Sequence, residues 1–426
     1  MFKKHPKGII VLFFTEMWER FGFYTLMAIL VLYMEKEFKW DDATKGNYYG
    51  WFLALVYFIP ILGGWLGDKV LGNFNTVRIG AWVMSFGFAF LFLSSANAVT
   101  LFFIGLFLIA FGTGIFKVNI AVLVGNLYHD KLELKDAGFN IYYMGVNLGA
   151  AIAPLAATLL FNLFGNYNVS FAAAGLGLLI CIIIFELGKK NLIVFDYRKQ
   201  SSAAEIKNQN YREIPKEEFK QRIATLVILF LIVSFFWVGF YQNGFALTLF
   251  AERSTIISNI LRPETYQFFN PFFILTLTPL MLAYFSKLNK AGKEPATPVK
   301  ILIGMFIMGI AMAIMIPASL LGGNLDQNNM SPLWLISTYL VVTLAEILIS
   351  PLGLSFVTKV APPKIQGLMM GGWFGATALG SYGSGFLGKF YSDFQHHQYF
   401  LILTGILTVS VILLLIFMNK LKRFAG

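Results

Sequence analysis

Gly8–Met34, GIIVLFFTEMWERFGFYTLMAILVLYM, is an apolar run of about 27 residues with Glu16, Glu19 and Arg20 at its centre. The run is long enough to cross a bilayer and lacks a small-residue cleavage site, so it reads as a retained span and not as a removed signal peptide. Each ionised side chain at the middle of such a helix costs about 2.5–3.5 kcal/mol or more, so three of them must be paired or turned towards water. They are the first functional candidates of the chain.

The rest of the composition agrees with a membrane solvent. The chain has 426 residues, 57% hydrophobic and 13% charged, with a mean hydropathy of +0.69, where a soluble domain carries roughly 25% charged residues. Twelve apolar segments are expected, over 8–34, 46–67, 76–96, 99–125, 138–163, 168–188, 222–250, 266–286, 298–321, 331–359, 365–388 and 398–419. The fold class is all-α and polytopic. One long polar stretch interrupts the series, dividing the chain into an N-terminal six-helix bundle (1–188), a solvated connector (189–221) and a C-terminal six-helix bundle (222–426). Cys181 lies in an apolar run and reads as a small buried hydrophobe.

Positive charge sets the orientation. With the N-terminus inside, 25 of the 33 Lys/Arg fall on the cytoplasmic side and six outside; Arg20 and Lys117 lie within spans. Both termini are expected in the cytoplasm. The formal charge of +11 is thus a topology signal, and a Lys/Arg distribution broken up by twelve spans gives no footprint for nucleic acid. An integral membrane enzyme has little support either. The four histidines, His5, His129, His396 and His397, lie near termini or loops, and no metal-ligand spacing occurs.

Counting acids the same way leaves Glu16, Glu19 and Glu346 deep in the bilayer, against the bases Arg20 and Lys117. Residues three or four apart share a helix face, so Glu16, Glu19, Arg20 and Tyr24 form one stripe, expected to line a central cavity. The alternative for Glu16 and Arg20 is a structural ion pair locking two helices. Lys117 and Glu346 each need a partner from elsewhere, and each is a candidate for the other.

Several blocks now resemble one family, the proton-coupled oligopeptide transporters of the major facilitator superfamily. Glu16-Met-Trp-Glu19-Arg20-Phe21-Gly-Phe23-Tyr24 is similar to its span-one signature, and Gly112-Thr-Gly114-Ile-Phe-Lys117-Val118-Asn119-Ile120 to its fourth span. Phe139-Asn-Ile-Tyr142-Tyr143-Met-Gly-Val-Asn147-Leu-Gly149-Ala150, followed by Pro154, resembles its most specific block. In the second half Pro263-Glu-Thr-Tyr266-Gln267 with Asn270-Pro271, Glu346 with Ser350-Pro351-Leu-Gly353, and Met370-Gly-Gly-Trp373-Phe also match. Gly64-Trp-Leu-Gly67-Asp68-Lys69 is similar to the gating loop of the wider superfamily.

The resemblance implies a major facilitator fold of twelve transmembrane helices and proton-coupled symport of di- and tripeptides by alternating access. Another small solute, such as an amino acid, nitrate or a peptide-like drug, is the alternative on the same fold. A peptide is a zwitterion: by resemblance Arg20 and Lys117 take its carboxylate, Glu346 its ammonium, and Asn147 and Asn270 its neutral polar groups. Tyr24, Tyr57 and Trp373 are implied cavity walls, although plain helix packing is open for all three, as an interhelix hydrogen bond is for the two asparagines. Glu16, Glu19, Arg20 and Glu346 are the implied proton-coupling residues, with Asp68 in gating. The coupling ion is the proton, and no other cofactor is implied. The expected setting is a monomer, multi-pass in the inner (plasma) membrane.

The chain also departs from the family pattern. Met27 stands where many members have a second arginine, and span seven offers Tyr241, Gln242 and Asn243 in place of an acid. As the two charges are missing together, an apolar or hydrogen-bonded outer gate is expected. Val118 replaces a proline after the lysine, so a local helix break is expected to be missing, and Phe23 replaces a tyrosine. Gly112, Gly114, Gly371, Gly372, Gly375, Gly380, Gly383, Gly385 and Gly388 are candidates for close helix approach, and Pro154, Pro279, Pro317 and Pro351 for kinks.

Overall fold

In the computed structural model, which describes residues 5–196, 215–362 and 365–424, twelve long helical stretches account for nearly all the described residues. They are α1 (Gly8–Phe38), α2 (Asp42–Leu71), α3 (Asn73–Leu93), α4 (Val99–Asn126), α5 (Leu132–Phe164), α6 (Asn168–Leu187), α7 (Lys216–Arg253), α8 (Pro263–Lys290), α9 (Thr297–Leu321), α10 (Pro332–Val360), α11 (Gln366–Gly388) and α12 (His396–Arg423). Among the described residues ten of these are long and apolar enough to cross a membrane. The other two are α1, interrupted by its own charges, and α11, diluted by glycine. Most of the connector, 197–214, lies outside the described residues.

Local chemistry sets the ends. Lys39 closes α1 in the left-handed region with its N–H on the Met34 carbonyl, and two residues later Asp41 accepts from the Thr44 N–H at 2.7 Å. That cap starts α2 at Asp42, four residues before the apolar run begins. Gly165 ends α5 at positive φ, bonding the Phe161 carbonyl. Ser331 caps α10 just ahead of Pro332.

Two compact units result: Met1–Lys39 with Leu55–Asn210, and Trp40–Ala54 with Tyr211–Gly426. In the first, α1 packs on α5 and α6, α3 on α4 and α6, and the later part of α2 on α4. In the second, α7 packs on α11 and α12, α9 on α10 and α12, and α8 on α10. Shifting every number by six turns one pattern into the other. The same three-dimensional plan is therefore built twice. The opening of α2, 40–54, groups with the C-terminal helices and not with the bundle its sequence position suggests.

Glycine decides several crossings. A Cβ on Gly149 of α5 would sit 2.2 Å from the Met17 carbonyl oxygen, and one on Gly380 of α11 2.3 Å from that of Ser234, so both contacts need the bare backbone. Gly112, Gly114, Gly372, Gly383, Gly385 and Gly388 are similarly close to neighbours, whereas Gly371 and Gly375 face open space. α4 runs unbroken through Lys117 and Val118, as the missing proline predicts, and Pro154, Pro279, Pro317 and Pro351 all lie inside continuous helices. Cys181 is fully buried.

Candidate functional site

The N-terminal unit assembles an ionic cluster on α1. Arg20 Nε lies 3.2 Å from Glu16 Oε1 one turn below, Arg20 Nη2 donates to Glu19 Oε1 at 2.6 Å, and Arg20 Nε also donates to Glu19 Oε2. Glu16, Glu19 and Arg20 are 1%, 0% and 3% exposed, so the two acids and the base are sealed between α1 and the helices packed on it. Gly145 and Gly149 of α5, pressed against the Phe13 and Met17 carbonyls, let the two backbones close over this stripe. Glu16 Oε2 has no hydrogen-bond partner among the described residues, while the Tyr142 side chain of α5 lies against the same carboxyl. Arg20 also stacks on Phe23, 5.1 Å from its centroid.

Around this cluster stand the other predicted residues of the same unit. Lys117 of α4 is within electrostatic reach of Arg20, Glu16 and Glu19, and its ammonium lies 5.3 Å from the Tyr57 ring centroid. Tyr24 interacts electrostatically with Arg20. Asn147 is half-buried and donates to the Tyr143 carbonyl of its own helix at 2.9 Å. Asp68 sits in a π-helical turn, Leu66–Leu71, at the end of α2. Net of signs, two carboxyls and two cations meet in one region.

The C-terminal unit does something different. Asn270 of α8 donates to Glu346 Oε2 at 2.8 Å and to Thr343 Oγ1 at 3.1 Å, so the acid of α10 is held by a neutral amide. Trp373 is 2% exposed, with its ring against Gly353, where a Cβ would come within 1.9 Å of it; its surface is spent on packing in this conformer. Lys117 and Glu346 belong to different units, and each has the surroundings just given.

Two features were not singled out from the sequence. Span seven is not one helix: it breaks into a 3-10 turn at Tyr241–Gly244, where an acid is missing. The freed carbonyls are taken by side chains, Tyr49 donating to Tyr241 O at 2.9 Å, Tyr339 to Asn243 O at 3.1 Å and Thr248 to Asn243 O at 2.8 Å. Gln242 is fully buried, donating to Ser384 O at 3.3 Å and accepting from Tyr399 at 3.1 Å. The second feature is an ion cluster of Asp42, Lys45 and Arg253, all read from the sequence as loop or span-end charges.

A polytopic helical chain that builds one six-helix packing plan twice and buries charges within its spans has the architecture of a membrane transporter of the major facilitator fold. The family model described as POT family matches residues 74–215 and 193–402. A relative from Escherichia coli named dipeptide and tripeptide permease A is 30% identical over 90% of this chain and 85% of its own length, and an uncharacterized transporter of Bacillus subtilis is 32% identical over 87% and 85%. The crystal structure of a peptide transporter POT in complex with sulfate superposes with a TM-score of 0.90 at 28% identity, covering 100% of this chain and 97% of that one. The chain belongs to the POT family.

Proposed function

We propose that this chain is a proton-coupled importer of di- and tripeptides in the inner membrane, with both termini cytoplasmic, working as a monomer. The observation that carries the reading is the division of charge: cations next to the α1 cluster in one unit, and a lone acid bonded to an amide in the other. A peptide carboxylate is the natural ligand of Arg20 and Lys117, and a peptide ammonium that of Glu346 with Asn270. The relatives' names support peptide as the cargo.

In the coupling step, protonating Glu16 or Glu19 releases Arg20 from its internal carboxylates and offers it to the substrate. Protonating Glu346 cancels the charge that holds the ammonium, which favours release. Asp68, in the π-helical turn that ends α2, serves gating.

The test is uptake of a radiolabelled dipeptide into proteoliposomes at several pH values, with competition by single amino acids, nitrate and 5-aminolevulinic acid, the last because a POT family transporter has been crystallised with it. Peptide uptake that rises with an inward proton gradient and yields to peptides alone supports the reading. Uptake blocked equally by an amino acid or nitrate replaces peptide as the substrate.

A further inference from the structure

The polar groups around Glu346 do not stop at Asn270. On α10, Tyr339, Thr343 and Glu346 are spaced by four and three residues, so they share one face over a rise of about 10 Å. Asn270 joins Glu346 to Thr343, and Thr343 in turn donates to the Tyr339 carbonyl at 2.7 Å. At the other end of this face the Tyr339 hydroxyl donates to the Asn243 carbonyl of the α7 break. Gln267 of α8 reaches the same carbonyl at 3.4 Å, and Tyr266 beside it is within electrostatic reach of Tyr339. Three helices thus bring hydroxyls and amides to one strip that begins at the break and ends at the acid.

A second observation marks the far end of the strip. Tyr266 is 1% exposed, yet its hydroxyl has no hydrogen-bond partner among the described residues, and neither does the buried Asn243 Oδ1. A phenol both donates and accepts, an amide oxygen only accepts, and both atoms belong to neighbours of Tyr339. Tyrosines that are simply packed look different: Tyr33, also 1% exposed, donates to the Ser94 carbonyl at 2.9 Å and accepts from Asn168 at 3.3 Å. Buried polar groups left over by the protein are satisfied by water, which needs several polar partners close together, and the strip supplies them.

We propose that water occupies this strip and carries protons from the outer surface to Glu346 through the inside of the C-terminal unit. A water beside Glu346 gives its proton to the carboxylate and takes one from the next water outward, so each proton that arrives is replaced from solution. Tyr266 and Asn243 hold the outermost waters of the strip, and Thr343 and Asn270 position the last. Tyr241, Gln242 and Asn243 put no acid at the α7 break, so the proton is not held there. The inference rests on the proton-coupled reading and on its orientation, which puts the start of α8 outside.

Hydroxyl-radical labelling by X-ray radiolysis modifies side chains that touch bound water even when they are buried, and it needs no substrate. In the full chain in lipid, Tyr266 and Tyr339 should be modified severalfold faster than the equally buried Tyr33. Rates no higher than that of Tyr33 would overturn the wet strip. In proteoliposomes Tyr266→Phe, which keeps the ring, should slow dipeptide uptake driven by a proton gradient about tenfold, the rate equivalent of one lost hydrogen bond, and counterflow much less. Gradient-driven uptake at the unsubstituted rate, or equal losses in both assays, would overturn the proton route. If the unsubstituted chain carries no dipeptide at all, the peptide reading fails, and the labelling rates still decide the strip.

Discussion

The two units build the same helix plan yet treat their buried acids in opposite ways. On α1, Arg20 pairs with both Glu16 and Glu19, and Lys117 of α4 supplies the second positive charge within electrostatic reach, so the cluster balances its charge inside its own unit. On α10, Glu346 has an amide from Asn270 and a hydroxyl one step removed, and no ion pair with a cation among the described residues. A self-compensated cluster is stable but must be opened before it can bind. A carboxyl held by neutral donors binds a cation directly. The repeat therefore supplies the scaffold, and the unequal charges give the two halves separate tasks.

The strongest way to break this contrast is to remove the base of the first cluster. Arg20→Ala strands two buried carboxyls and should lower stability by about 3–5 kcal/mol, with uptake and counterflow both lost. A thermal melt in detergent alongside transport assays checks both. If Arg20→Ala melts like the unsubstituted protein, the carboxyls are compensated elsewhere and the contrast fails. Next in size is Glu346→Gln, which keeps a partner for Asn270 and should shift stability by no more than about 1 kcal/mol. Its effect is expected in function: uptake stops responding to a pH gradient while counterflow, needing no gradient, persists at reduced affinity. Counterflow and uptake lost in parallel would make Glu346 a binding residue only.

Asn270→Ala should fall between these in its cost to stability and below them in its effect on transport. It leaves Glu346 without its amide donor, at a cost of about 1–3 kcal/mol, and should raise the apparent KM for peptide roughly tenfold with kcat changed less. A fall in kcat at constant KM would place Asn270 in the conformational cycle instead.

What the sequence made readable follows from contrast with the surroundings. Glu16, Glu19, Arg20, Lys117 and Glu346 stand out because each is a charge inside an apolar run, and the one-turn spacing of Glu16 and Arg20 already implies their pairing. The twelve segments were legible for the same reason. Asp42, Lys45 and Arg253 were not, because a charge at the end of a span looks identical whether it is solvated or clasped. The Asp41 cap starts α2 early and so places Asp42 in the first turn of a helix, not in a loop. The α7 break was hidden inside a continuous apolar run, although Gln242 and Asn243 marked its place. Trp373 shows the opposite limit: a large aromatic in a matching block gives no hint that its ring is spent against Gly353.

The finest test pairs two hydroxyl deletions, one in each unit. Tyr142→Phe removes the hydroxyl facing Glu16, and Thr343→Val the one that accepts from Asn270. Thr343→Val should cost about 0.5–1.5 kcal/mol, the usual net worth of one buried hydrogen bond, and Tyr142→Phe no more than that, so the melts alone will not separate them. Transport will. In the ion-paired cluster Arg20 dominates the field at Glu16, and losing a neutral hydroxyl should leave the pH dependence of uptake nearly unmoved. Around Glu346 neutral donors are the whole of the support, because Asn270, released from Thr343, can turn away from the acid. Thr343→Val should therefore displace the pH profile of uptake while Tyr142→Phe does not, and equal displacement in both would show that the two acids are held in the same way after all.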